Sequence, residues 1–238
     1  MQNAASDLAT RLEQNIGPLS RRCTEAMYGD PFWSARFGAR GRAHAEADSG
    51  YHVKYVAAAL RADDVTVFKK YALWLRGVLV SRNMCSWHLA ESFRQLTLAM
   101  RAEHLEGVDR AAEVMHEGAL ALGYQAGDAG ELTAHLANIE RQAQPESCYR
   151  IAELLSFLAD GLAHSDDRTF ACHVTFLNDT LARDASEHRA LLDTLRTLRE
   201  AALNLLSATA GSRVAKLIDS CGLLEVPPPP TSNDAFAL

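Results

Sequence analysis

The sequence predicts an all-α protein built as two tandem, related helical bundles. Three observations carry this reading. Apolar residues recur at three- and four-residue spacing through most of the chain, which is the period of one helix face. Of 238 residues 48% are hydrophobic, yet only 14 are Gly and 7 are Pro, so helix formers are plentiful and breakers few. Residues 60–68, LRADDVTVF, align without a gap to residues 162–170, LAHSDDRTF, an offset of 102 residues. Around that segment Tyr55 falls on Phe157, Trp74 on Phe176, Leu75 on Leu177, Phe93 on Leu195 and Leu96 on Leu198. The expected repeat therefore spans residues 51–100 and 153–202, with an Asp-Asp pair in the loop between helices of each copy.

Taken in order, Leu8, Leu12 and Ile16 predict a short amphipathic helix over 4–16 that Gly17-Pro18 ends. A second short helix over 19–27 leads to a turn at Gly29, Asp30 and Pro31, followed by Phe32 and Trp33 as anchors onto the bundle. Residues 37–42 read as a bend. Three longer helices follow, over 42–60, 65–81 and 86–105, and their short connections require antiparallel packing. Asp63 or Asp64 caps the middle one, and Phe68, Tyr71, Leu75, Val78 and Leu79 form its apolar face.

A fourth helix over 106–121 precedes Gly123, Gly127 and Gly130, which mark the domain boundary. The expected organisation is a bundle over 1–125, a second bundle over 126–225 that repeats the first, and a tail over 226–238. In the second bundle a helix over 132–142 stops at Pro145, and a last helix over 213–221 ends at Gly222. Residues 226–238 begin with four consecutive prolines and read as an extended, mobile segment.

Charge and cysteine usage narrow the function. Lys and Arg number 24 against 30 Asp and Glu, with no basic run, so nucleic acid has no electrostatic footprint to bind. Cys23, Cys85, Cys148, Cys172 and Cys221 are scattered, odd in number and form no CxxC, which predicts free thiols in a reducing, cytoplasmic setting. No secretory signal and no membrane-spanning run are visible. Signatures of the common hydrolases and nucleotide-binding folds are missing too.

Four constellations could carry chemistry. His44, Asp48 and His52 stand on successive turns of one helix face, but the outer two are about 11–12 Å apart along the axis, too far to share an ion. Glu113 and His116 form one ExxH half-motif where a di-iron bundle needs two, and the aligned Ala215 and Ile218 are apolar. Cys172 and His173 are neighbours on a helix and point about 100° apart, which opposes a thiolate–imidazole pair. The fourth is an aromatic cluster, Tyr51, Tyr55, Tyr71, Trp74 and Trp87, accompanied by His52, Arg82 and His88. Aromatics at helical spacing make core, and they also make a flat-ring pocket between bundle helices. The candidate ligand-binding set is Tyr51, His52, Tyr55, Tyr71, Trp74, Arg82 and His88. The second copy carries Glu153, Leu154 and Phe176 where the first has Tyr51, His52 and Trp74, so a pocket is expected in the first copy alone.

The run over 37–100, with Asp48, Tyr51-His52, Tyr55, Ala59-Leu60, Phe68, Tyr71, Trp74, Leu79 and Arg82, resembles a helical domain of bacterial sensory and regulatory proteins, some of which carry cobalamin-binding modules. Phe93, followed after nine residues by Glu103-His104, is similar to the Trp-x9-Glu-His motif of the helical bundle in cobalamin photoreceptors, with Phe in place of Trp. No DxHxxG and no α/β cobalamin domain follow. The resemblance implies a sensor or regulator. The expected function is thus a non-enzymatic regulatory or sensory module that binds a protein partner, a second copy of itself or a small flat ligand. The alternative is a bundle that holds a metal or a tetrapyrrole such as cobalamin, haem or a bilin, as a sensor or redox enzyme. The sequence names no cofactor.

Overall fold

The computed structural model describes residues 2–142 and 150–224, which form eleven helices and no strand. The expected helix stop at Pro145, the thiol of Cys148 and the proline-rich segment over 226–238 lie outside the described residues. The chain divides into two compact units, Met1–Gln125 and Ala126–Leu238. Among the described residues no helix is long and apolar enough to cross a membrane.

The first unit contains α1 (Gln2–Gln14), α2 (Ile16–Met27), α3 (Pro31–Ala62), α4 (Thr66–Val80), α5 (Ser86–Ala102) and α6 (Val108–Ala121). Helix α3 is its axis, packed against each of the other five. Val53, Val56, Ala57 and Leu60 of α3 are buried against Phe68 and Ala72 of α4 and Leu89, Phe93 and Leu96 of α5.

Pro18, read as a helix end, and Pro31, read as part of a turn, both lie at helix starts. The break between α1 and α2 falls at Asn15, and Gly17-Pro18 occupy the first turn of α2. Proline fits there because the first backbone N–H groups of a helix have no intrahelical acceptor. Pro31 opens α3 in the same way, with Asp30 as N-cap accepting from the Phe32 N–H at 2.9 Å. The bend expected over 37–42 is a kink inside α3 at Gly38, whose φ of 60° and ψ of -163° leave no room for a side chain at this conformation. Phe32, Trp33 and Phe37 thereby lie ahead of the kink and pack on His88 of α5, at centroid distances of 5.9, 5.3 and 5.6 Å.

The second unit contains α7 (Gly127–Gln142), α8 (Ile151–His164), α9 (Asp167–Leu181), α10 (Ala185–Leu205) and α11 (Ala208–Asp219). Its consecutive helices pack in pairs, and α7 also packs on α10, as α2 packs on α5 in the first unit. The α3–α4 and α8–α9 turns are built alike. Asp63 and Ser165 adopt left-handed φ of 48° and 51°. The next N–H, from Asp64 or Asp166, returns to the carbonyl of Ala59 at 3.0 Å or Gly161 at 3.1 Å. The Asp64 carboxylate then accepts from the Thr66 N–H, and that of Asp166 from the Arg168 N–H.

All these pairs stand 102 positions apart, so the corresponding residue of each Asp-Asp pair is the capping one, Asp64 or Asp166. Asp63 matches Ser165 rather than a second aspartate. Tyr55 and Tyr71 stack at 3.9 Å and 12°, and the residues at the same offset, Phe157 and His173, stack at 4.0 Å and 19°.

Gly118 of α6 lies where an added Cβ would stand 2.3 and 2.4 Å from ring carbons of Phe68, which is fully buried. That ring has no space into which to retreat. Gly118→Ala is expected to cost about 1–3 kcal/mol in urea unfolding, as overpacking of a closed core does.

Candidate functional site

Four helices of the first unit enclose a cavity of about 240 Å3. Helix α3 contributes Trp33 and Phe37 before its kink and His44, Asp48 and His52 after it. Leu75 and Leu79 of α4 and Arg82 just beyond it form a second wall, Leu89 and Ser92 of α5 a third. The end of α2 adds Met27 and the adjoining Tyr28. Gly41 lines it as well, and a Cβ there would stand 3.0 Å from the Tyr28 hydroxyl.

Exposure grades across this space. His52, Leu75, Leu89 and Trp33 are buried, Phe37 and Asp48 half-buried, His44 and Arg82 exposed. The floor is therefore apolar and aromatic with one imidazole, and the mouth carries the charges.

His52 Nδ1 lies 2.7 Å from the Tyr71 hydroxyl, with both residues buried. Tyr71 makes no other hydrogen bond; with its O–H as the donor to Nδ1, the His52 proton sits on Nε2. Burial holds the His52 pKa down at about 3, so the ring is neutral at any physiological pH. Burial also raises the Tyr71 pKa, with the Asp48 charge adding to the effect, and the phenol stays protonated as a donor.

Asp48 stands one turn before His52 on α3. Burial raises its pKa, while His44 and Arg82 act against the rise. No ion pair joins Asp48 to Arg82 or to any other described residue. The mouth thus holds a carboxylate and a guanidinium that feel each other without pairing.

Of the residues singled out by pattern, the cavity takes His52 and Arg82, and Tyr71 stands behind His52 as its donor. Tyr51, Tyr55 and Trp74 are instead 54%, 40% and 63% exposed, outside the cavity lining. His88 is buried beside the cavity, its Nδ1 accepting from the Cys85 N–H at 3.1 Å. Trp87 stacks over Trp33 at 6.5 Å.

Trp33, Phe37, Tyr28 and Asp48 are among the lining residues that periodicity did not assign to a pocket. Asp48 was visible as one turn from His52. The aromatics of the other segment required knowledge of the kink.

The remaining constellations stay apart. Among the described residues no group of three or more His, Cys, Asp or Glu could hold a metal ion. Glu113 pairs with Arg110 at 2.6 Å, and with His116 it lines an open groove between α5 and α6. Cys172 is exposed whereas His173 is buried, so the two side chains diverge. Cys23, Cys85 and Cys221 are free as well. Phe93 is in the core against His52 at 5.0 Å, while Glu103 caps the end of α5 and pairs with Arg22.

Two outcomes follow from this geometry. His52→Leu leaves the Tyr71 hydroxyl buried with no acceptor and is expected to cost about 1–3 kcal/mol, whereas Trp74→Phe, on an exposed side chain, should stay within about 0.5 kcal/mol of the parent. Chemical denaturation of both variants checks the contrast.

The second concerns pH. The unfolded chain protonates His52 near 6.5 and the folded one only near 3, so the unfolded state binds more protons in between and stability falls as pH drops through that window. Between about pH 7 and pH 5 the loss assigned to His52 is on the order of 2 kcal/mol. Asp48 titrates in the opposite sense, and Tyr71, Arg82 and His44 are the other polar groups near the ring. His52→Gln keeps an acceptor for Tyr71 and is expected to flatten the urea midpoint over that range.

No protein family matches the chain, and neither does any curated protein or solved structure.

Proposed function

We propose that this chain is a non-enzymatic α-helical regulatory or sensory protein, in which the first unit binds a small ligand and the second is a duplicated copy of its frame. The observation that carries the reading is the cavity among α2, α3, α4 and α5, with Asp48 and Arg82 at its mouth and no ion pair between them. Protein interiors pack to the density of organic crystals, so a 240 Å3 space with charges of both signs is more than a packing remainder.

The duplicated copy supports the same reading by contrast. At the offset of 102, Asp48, His52 and Arg82 correspond to Arg150, Leu154 and Asp184. Arg150 pairs with Glu153, Leu154 is buried core, and Asp184 caps α10 by accepting from the Ser186 and Glu187 N–H groups. Those positions do structural work in the second unit; in the first, His52 is bonded to Tyr71 while the side chains of Asp48 and Arg82 make no pair. The shared turn and the shared ring stack support descent of both units from one bundle.

The cavity lies below the roughly 300–1,000 Å3 of pockets that enclose drug-sized ligands, so a compact molecule suits it better than the tetrapyrrole of the alternative reading. The experiment is a thermal-shift screen of the purified full chain against small metabolites, with Ala45→Phe, at a lining residue of α3 next to His44, as a cavity-blocked control and an absorption spectrum of the untreated protein. The expected result is saturable stabilisation, about 2.7 kcal/mol at a hundredfold excess over Kd, in the parent and not in Ala45→Phe. Equal shifts in both proteins would remove the cavity from the argument, and a strong visible band would favour the alternative.

A further inference from the structure

The charges and the rings of the cavity together define a chemical class. We propose that the first unit binds a free zwitterionic amino acid with a large apolar side chain, its ammonium on Asp48, its carboxylate on Arg82 and its side chain against Trp33, Phe37 and Leu89. This rests on the reading of that unit as a small-ligand module and names its ligand.

A half-buried carboxylate without a partner is costly, and Asp48 has neither an ion pair nor a hydrogen bond among the described residues. Arg82 lines the same cavity and has none either. The two line one cavity without pairing, so a ligand that carries one charge of each sign matches both. An α-amino acid carries an ammonium and a carboxylate on one carbon, and it satisfies both residues at once. A simple amine would leave Arg82 unmatched, and a simple acid would leave Asp48 unmatched.

Below the mouth the lining turns apolar. Trp33, Leu75 and Leu89 are buried, and Phe37 closes one side. This is a binding surface for an aliphatic or aromatic side chain and would strand a polar one. The volume of about 240 Å3 suits a single amino acid rather than a peptide. His52 adds one neutral donor, the Nε2 hydrogen, which makes no hydrogen bond in the structure. It is placed to meet a ligand oxygen without adding charge, because the ring is not protonated.

The test is titration calorimetry on the full chain with L-leucine, L-methionine, L-phenylalanine and L-tryptophan, beside phenethylamine and 3-phenylpropanoate, each of which keeps the ring and drops one charge. At least one amino acid should bind saturably, and each single-charge analogue should bind about tenfold or more weakly than L-phenylalanine. Asp48→Asn and Arg82→Gln, both at the partly exposed mouth, should each weaken the amino acid by a similar factor with an unchanged circular dichroism spectrum.

Phenethylamine binding as tightly as L-phenylalanine would overturn the proposal, as would binding that survives both substitutions. If no amino acid binds but another metabolite stabilises the parent and not Ala45→Phe, the zwitterion is wrong and the small-ligand reading stands. If nothing stabilises the parent in either panel, both fall.

Discussion

The hydrogen bond between Tyr71 and His52 is the constraint on which the first unit depends. It joins α4 to α3 within a core that is mostly apolar. A buried hydroxyl and a buried imidazole each carry a desolvation cost, and each relieves the other only at hydrogen-bond distance. The pair therefore sets how far α3 and α4 can slide or rotate against each other. Burial in the same surroundings keeps the imidazole neutral.

From that fixed point the rest of the site is laid out by helix geometry. Asp48 stands one turn earlier on the same face of α3, and His44 one turn before that. Past the Gly38 kink, the start of α3 turns its rings onto α5, where His88 is locked by its bond to the Cys85 N–H. The kink thus brings two parts of one helix to the same cavity. A straight α3 could not do so, because residues on one face of a straight helix share a line rather than surround a space.

The two units share one capped helix turn and one ring stack, with different polar groups around them. Both have a left-handed residue after the first long helix, an aspartate capping the next and a ring stacked across that helix pair. Where the first unit has His52 against Tyr71, the second has Leu154 and His173. His173 lies 3.6 Å from Glu153, which is also paired with Arg150. The frame is set by turn chemistry and core volume, which tolerate this exchange. The site is set by a few polar groups, which do not.

The sequence by itself determined the helical class, the faces of the long helices and the capped turn that recurs in both halves. These are local properties: period, capping side chain and left-handed residue act within a few positions of one another. It also brought His52 and Arg82 into view. Only the tertiary structure decided which aromatic residues are inside.

Tyr51, Tyr55 and Trp74 have the spacing of core residues, yet they sit at the edge of a helix face where the neighbouring helix decides between burial and solvent. Trp33 looked like an anchor and Phe37 like part of a bend, because nothing in their own segment reveals the α5 surface they meet. Gly17-Pro18 and Pro31 were ambiguous for a related reason. A proline ends one helix or begins the next with the same backbone φ, and the choice is made by which flanking segment finds a surface to pack against.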